Sequence, residues 1–248
     1  MLSVTPMLQV QRDLYDLPRG RDRFNHYLAT MTGSTDDLVL PLQAMNPMGK
    51  VHIVETLDAL IALGAENLAA EAIIDAERRL GPVEADLRVG IVVADDVAGG
   101  WTNRDLIEAN RLRHVPTELL KRGWVVVLFW TSEPVNKQKV REEVLSSVFR
   151  DVSLMRHGAP KTLQEVMALE GRALAFAGAD EPVLDGEDLA YTREVIRPHL
   201  QAAAFEDFPT VFACLFGDDA AKRVGYPPLG LSRRAGFALA LAETKERT

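Results

Sequence analysis

Apolar positions recur along this chain in two rhythms. The commoner is the spacing of an amphipathic helix. Phe24, Tyr27, Leu28 and Met31 share one helical face. Residues 51–80 are rich in Ala, Leu, Ile and Glu and are broken only at Gly64, which predicts two helices in a hairpin with Gly64 closing the first. Val140, Val144, Val148 and Val152 form a stripe that predicts a helix from Asn136 to His157, stopped by Gly158. Thr162 and Glu165 have capping-box spacing, Asp185 to Asp188 opens a further helix that Pro198 ends or kinks, and Ser232 is the expected N-cap of a last helix from Arg233 to about Lys245.

The second rhythm is a continuous apolar run of strand length. Leu87–Ala94 (LRVGIVVA) and Trp124–Trp130 (WVVVLFW) are Val-rich, as strands buried on both faces are. About thirty residues separate them, including a predicted helix from Asn103 to Arg113 and a shorter one from Thr117 to Arg122, so they read as a βαβ unit with parallel strands. Two weaker candidates are Leu38–Met45 (LVLPLQAM), which Pro41 demotes to an edge strand or extended loop, and Thr210–Phe216 (TVFACLF), which is a strand or a buried helical turn after Pro209. The expected fold is α/β, a small, mostly parallel sheet with flanking helices and more helix than strand. It is expected as one domain over residues 1–248, with a helical N-terminal segment 1–80 and a helical C-terminal segment 136–248 packed on the sheet.

Composition narrows the function classes. With 248 residues and 47% hydrophobic content the chain can bury a core without disulfides, and its single Cys214 excludes an internal disulfide framework and any multi-cysteine zinc site. A net charge of −8 argues against nucleic-acid and anionic-membrane partners. No apolar run reaches the length of a membrane helix and no signal peptide is visible, so a soluble cytoplasmic protein is expected.

Each apolar run leads into a polar or helix-starting turn. In parallel α/β sheets ligands bind outside the carboxyl ends of the strands, so the turns after Leu87–Ala94 and Trp124–Trp130 are the expected site. The first runs from Asp95 to Arg104. Asp95 and Asp96 are candidate acid/base groups or ligands for a divalent metal; Trp101 offers an apolar wall; Thr102 is the expected helix cap; Arg104 offers a bidentate fork for a carboxylate or phosphate. Asn103 in this turn, and Ser132 and Glu133 in the second, are candidate substrate contacts. A third turn, Asn46–His52 (NPMGKVH), sets Lys50 at a helix start, where free N–H groups and a cation favour an anion. It is not a Walker motif, and no GxGxxG occurs. The five histidines are dispersed; His52 and Glu55, three apart, read as an ordinary helix-face pair.

The sequence therefore points to an enzyme of hydrolase or lyase type, metal-assisted or not, that acts on a small anionic organic substrate. The alternative is a non-catalytic ligand-sensing or assembly module that works as a homo-oligomer. No cofactor is indicated by any motif.

Overall fold

The computed structural model describes residues 1–247 apart from 34–36, 98–101 and 114–117, with the backbone alone at residues 112 and 113. By chain contacts the molecule divides into two compact units, Met1–Arg104 with Thr117–Asp151, and Asp105–Pro116 with Val152–Thr248. The fold is α/β with helix well in excess of strand, 59% against 9%.

The first unit holds the sheet. Its elements are β1 (Leu2–Val4), α1 (Leu8–Leu14), α2 (Arg21–Thr32), α3 (Val51–Leu63), α4 (Ala65–Leu80), β2 (Leu87–Ala94), α6 (Glu118–Lys121), β3 (Trp124–Trp130) and the first part of α7 (Lys137–His157); α5 (Arg104–Arg113) starts from it. The strands are parallel in the order β1-β2-β3, with β2 in the centre. Every residue of β2 except Arg88 is buried, as its unbroken apolar run requires. Helices α1 and α3 pack on β2, and α4 packs on β1. Gly64 takes the left-handed conformation (φ 71, ψ 39) between α3 and α4, so the predicted hairpin is present with its predicted pivot.

β1 is the strand the apolar pattern did not show, since three residues carry no periodicity. It pairs with β2 only from Leu87 to Val89, and would leave β2 with unmet backbone groups beyond that point. The Gln11 side chain, fully buried on α1, supplies the missing partner. Its Oε1 accepts the Val93 N–H at 2.9 Å and its Nε2 donates to the Ile91 carbonyl at 2.8 Å. One amide thus substitutes for a strand. Gly90 leaves room for the fully buried Met7, whose methyl group occupies the place a Cβ would take.

Two alternatives left open by the apolar pattern are resolved, each toward the non-strand reading. Residues 38–45 form turns and bends rather than a strand, consistent with Pro41 lacking the N–H a ladder needs. Residues 210–216 are helical: α10 spans Phe208–Phe216 in the second unit, with Pro209 in its first turn. Its apolar run is continuous because seven of its nine residues are buried, and a helix hydrophobic all round belongs in a core. Phe208, Phe212 and Phe216 pack in line at four-residue spacing, the first pair tilted with ring centroids 6.0 Å apart and the second stacked at 4.8 Å.

The rest of the second unit comprises α8 (Leu163–Ala177), α9 (Gly186–Ile196), a 3₁₀ turn at Arg197–His199, α11 (Asp218–Arg223) and α12 (Ala235–Glu246). Thr162 and Asp185 cap α8 and α9 by accepting the Glu165 and Asp188 N–H groups, as their spacing predicts. Ser232 does not cap α12 with its side chain. The helix begins at Ala235, after Arg234 in the left-handed region (φ 57), and the Arg234 guanidinium lies 4.4 Å from the Phe237 ring centre and 2.6 Å from Glu108. Cys214 is fully buried, and that burial raises its thiol to about 12.

Helix α8 meets α12 at Gly171, where an added Cβ would press into the Ala240 carbonyl and the Thr244 hydroxyl. Gly171→Ala is expected to lower stability by about 1–3 kcal/mol in urea unfolding, despite the better helix propensity of Ala.

Candidate functional site

The register of the sheet builds the site. Ala94 of β2 pairs with Trp130 of β3, and the Thr131 N–H extends the ladder to the Ala94 carbonyl at 3.0 Å. The next residues along, Asp95 beside Thr131 and Asp96 beside Ser132, are thereby neighbours. Successive side chains on an extended chain point to opposite sides, and the two carboxylates share only the Thr131 hydroxyl among the partners named below.

Asp95 is the buried one, with its side chain 3% exposed. An isolated charge there would be costly, and donors from three segments converge on it. His52 Nε2 lies 2.9 Å from Oδ1, Asn46 Nδ2 donates to Oδ2 at 3.2 Å, and the Val97 N–H donates to Oδ1 at 3.2 Å. The Thr131 hydroxyl lies 3.3 Å from Oδ1. Asn46 is itself held fast. Its Oδ1 accepts the Met48 N–H, which leaves its amide protons for Asp95, and its carbonyl accepts the Tyr15 hydroxyl at 2.6 Å. Burial pushes the Tyr15 phenol above its ordinary value, so it stays a neutral donor.

His52 is the residue that sequence reasoning missed. It sits in the first turn of α3, with its side chain 25% exposed. A carboxylate accepting this many donors has no proton to give, so the ring nitrogen facing it carries one. The other nitrogen, Nδ1, has no hydrogen-bond partner among the described residues. Glu55, its expected helix-face partner, makes no bond with it. The signal for the true pairing was indirect: His52 follows at once the Asn46–Lys50 turn that already carried candidate chemistry, but its partner is 43 residues away.

Asp96 belongs to a different set. It accepts the Ser132 N–H at 2.9 Å, the Ser132 hydroxyl at 2.5 Å and faces the Thr131 hydroxyl at 3.1 Å. Arg104 lies 3.6 Å from it and donates to Glu133 Oε1 at 2.6 Å, with its guanidinium 5.3 Å from the Trp130 ring centre. Lys139 on α7 also reaches Glu133, at 3.0 Å, and Glu143, at 2.7 Å. Desolvation alone would lower this ammonium, but the pull of Glu143 and Glu133 outweighs it and holds it above the ordinary lysine value. Glu133 Oε2 is buried without a hydrogen-bond partner among the described residues.

The structure therefore brings Asp95, Asp96, Arg104, Ser132 and Glu133 together at the ends of β2 and β3. Lys50 is exposed at the N-cap position of α3, a helix with no side-chain cap. Asn103 immediately precedes α5 and is half-buried. Trp101 lies outside the described residues. Thr102 is not the cap expected of it: α5 starts two residues later, and its hydroxyl is buried without a partner among the described residues. Among the described residues no three His, Cys, Asp or Glu side chains gather in a way that could hold a metal ion, and no helix is long and apolar enough to cross a membrane.

Asp95→Asn tests the buried acceptor. The new amide would face donors with a donor, so the variant is expected to lose about 1–3 kcal/mol in denaturant unfolding, whereas Asp96→Asn, nearer the surface, is expected to lose less.

No family model, curated protein or solved structure matches this chain.

Proposed function

We propose that the chain is an acid–base enzyme of hydrolase or lyase type that acts on a small anionic substrate at the carboxyl ends of β2 and β3, with His52 as the proton-transfer group. The observation that carries this reading is the His52–Asp95 pair: a buried carboxylate 2.9 Å from one ring nitrogen, with the other ring nitrogen unpartnered among the described residues on a partly exposed side chain. Such a carboxylate fixes the tautomer and orientation of the ring and stabilises the imidazolium that forms when the ring takes a proton. His52 Nδ1 removes a proton from water or from the substrate and returns it to the leaving group.

The anionic end of the substrate is assigned to the start of α3. The first-turn N–H groups there lack a side-chain cap, and Lys50 adds a full positive charge. Arg104 is given a different role from the fork considered for it. Asp96, Glu133 and the face of Trp130 already engage its guanidinium, so it holds the strand-end turns in place. A lone free thiol, buried and kept protonated, is compatible with the reducing cytoplasm as the setting.

A screen of p-nitrophenyl carboxylate esters, p-nitrophenyl phosphate and small β-hydroxy acids tests the proposal. The native protein is expected to turn over at least one of them. His52→Gln, whose amide still donates to Asp95, should lower kcat by about 10²–10⁴-fold. Lys50→Ala should raise KM with kcat nearly unchanged. Turnover that survives His52→Gln within a factor of about three would remove His52 from the reaction.

A further inference from the structure

The hydroxyl of Thr131 stands between the two adjacent carboxylates, and its atoms can be counted. A threonine hydroxyl has one proton to donate and two lone pairs to accept with, and an ionised carboxylate only accepts. Thr131 Oγ1 accepts the Asp96 N–H at 3.2 Å. Its single proton is then left to face two acceptors at nearly equal range, Asp95 Oδ1 at 3.3 Å and Asp96 Oδ1 at 3.1 Å. It cannot serve both.

We infer that Thr131 is a positioning residue that couples the two carboxylates, its one proton turning toward Asp95 or Asp96 according to how strongly His52 donates to Asp95. This inference rests on the acid–base role proposed for His52. When the ring is neutral, Asp95 is compensated by ordinary donors, among them His52 Nε2, Asn46 Nδ2 and the Val97 N–H, and the hydroxyl adds to them. When the ring becomes imidazolium, its donated bond becomes charge-assisted and Asp95 has less need of the hydroxyl. The proton then turns to Asp96, joining the Ser132 N–H, the Ser132 hydroxyl and the more distant Arg104. The charge state of His52 is thus passed across the strand ends to the Asp96–Ser132–Arg104 group.

The charged and titratable groups around this relay lie on several elements. Lys50 and Glu55 share α3 with His52; Tyr15 and Arg23 lie beyond Asn46, where Arg23 acts on Tyr15 together with Asp95; Arg104, Glu133 and Lys139 lie on the Asp96 side. The β-branched Thr131 also fits a residue that continues a strand ladder, so side-chain size alone does not require the hydroxyl.

The test follows the His52 Nε2–H proton resonance in the intact, unliganded protein labelled with ¹⁵N-histidine. Its position reports how strong an acceptor Asp95 is. With the ring neutral, Thr131→Val removes a donor from Asp95 and should move the resonance downfield; Thr131→Ser, which restores the hydroxyl, should return it to the native position. Asp96→Asn, read with the ring as imidazolium, where the native hydroxyl has turned to Asp96, weakens the competing acceptor, returns the hydroxyl to Asp95, and should move the resonance upfield. Opposite movements in the two variants support the coupling. No movement, the same direction in both, or movement in one folded variant only would overturn it. If Thr131→Val fails to fold, the Asp96→Asn shift decides alone: upfield supports the coupling, and any other result overturns it. Because no substrate is involved, failure here leaves the His52 turnover test intact, and failure of that test leaves this measurement unaffected.

Discussion

Burying the Asp95 carboxylate is the constraint on which the architecture of the first unit turns. A charge in a nearly dry position needs donors on several sides, and no single element can supply them. The structure gathers them from the Asn46 turn, the first turn of α3 and the start of the β3 turn. Each supplier is fixed by something else. The sheet register sets Thr131 beside Asp95, Tyr15 and the Met48 N–H orient Asn46, and packing of α3 on β2 brings His52 within reach. The Gln11 amide keeps β2 paired past the end of its short neighbour, so that the central strand stays ordered up to the residue that carries the charge.

Two adjacent carboxylates consequently take different parts. Asp95 is enclosed and pairs with a ring that is partly open to solvent, an arrangement suited to proton transfer. Asp96 is consumed by Ser132, Thr131 and Arg104, which tie the two strand-end turns to each other. Arg104 in turn is shared with Glu133, and Lys139 with Glu133 and Glu143, so the charges on that side are largely answered within the protein. The proposed proton transfer is therefore assigned to the His52 side of the strand ends.

Much of this was legible in the amino-acid order, and the gaps have physical causes. The Val-rich runs of β2 and β3 and the crossover between them fixed a parallel pair, and hence the neighbourhood of Asp95, Asp96, Ser132 and Glu133. The helix hairpin turned on Gly64 as its spacing implied. β1 escaped because three residues hold too little pattern, and because a side-chain amide completes its pairing. The Thr210–Phe216 run was ambiguous because a helix buried on all sides and a strand buried on both faces are equally apolar. The four-residue spacing of Phe208, Phe212 and Phe216 was the clue to the helix. His52 escaped because local spacing offered it Glu55, while its actual partner is set by tertiary packing.

The most direct test of the account is the tautomer of the neutral His52 ring, read from ¹⁵N chemical shifts in the native protein. An ionised Asp95 requires the proton on Nε2 and leaves Nδ1 bare to act as the base. A single Nε2–H form that persists when substrate analogues are absent is expected. A ring that carries its proton on Nδ1, or that averages between the two forms, would contradict it.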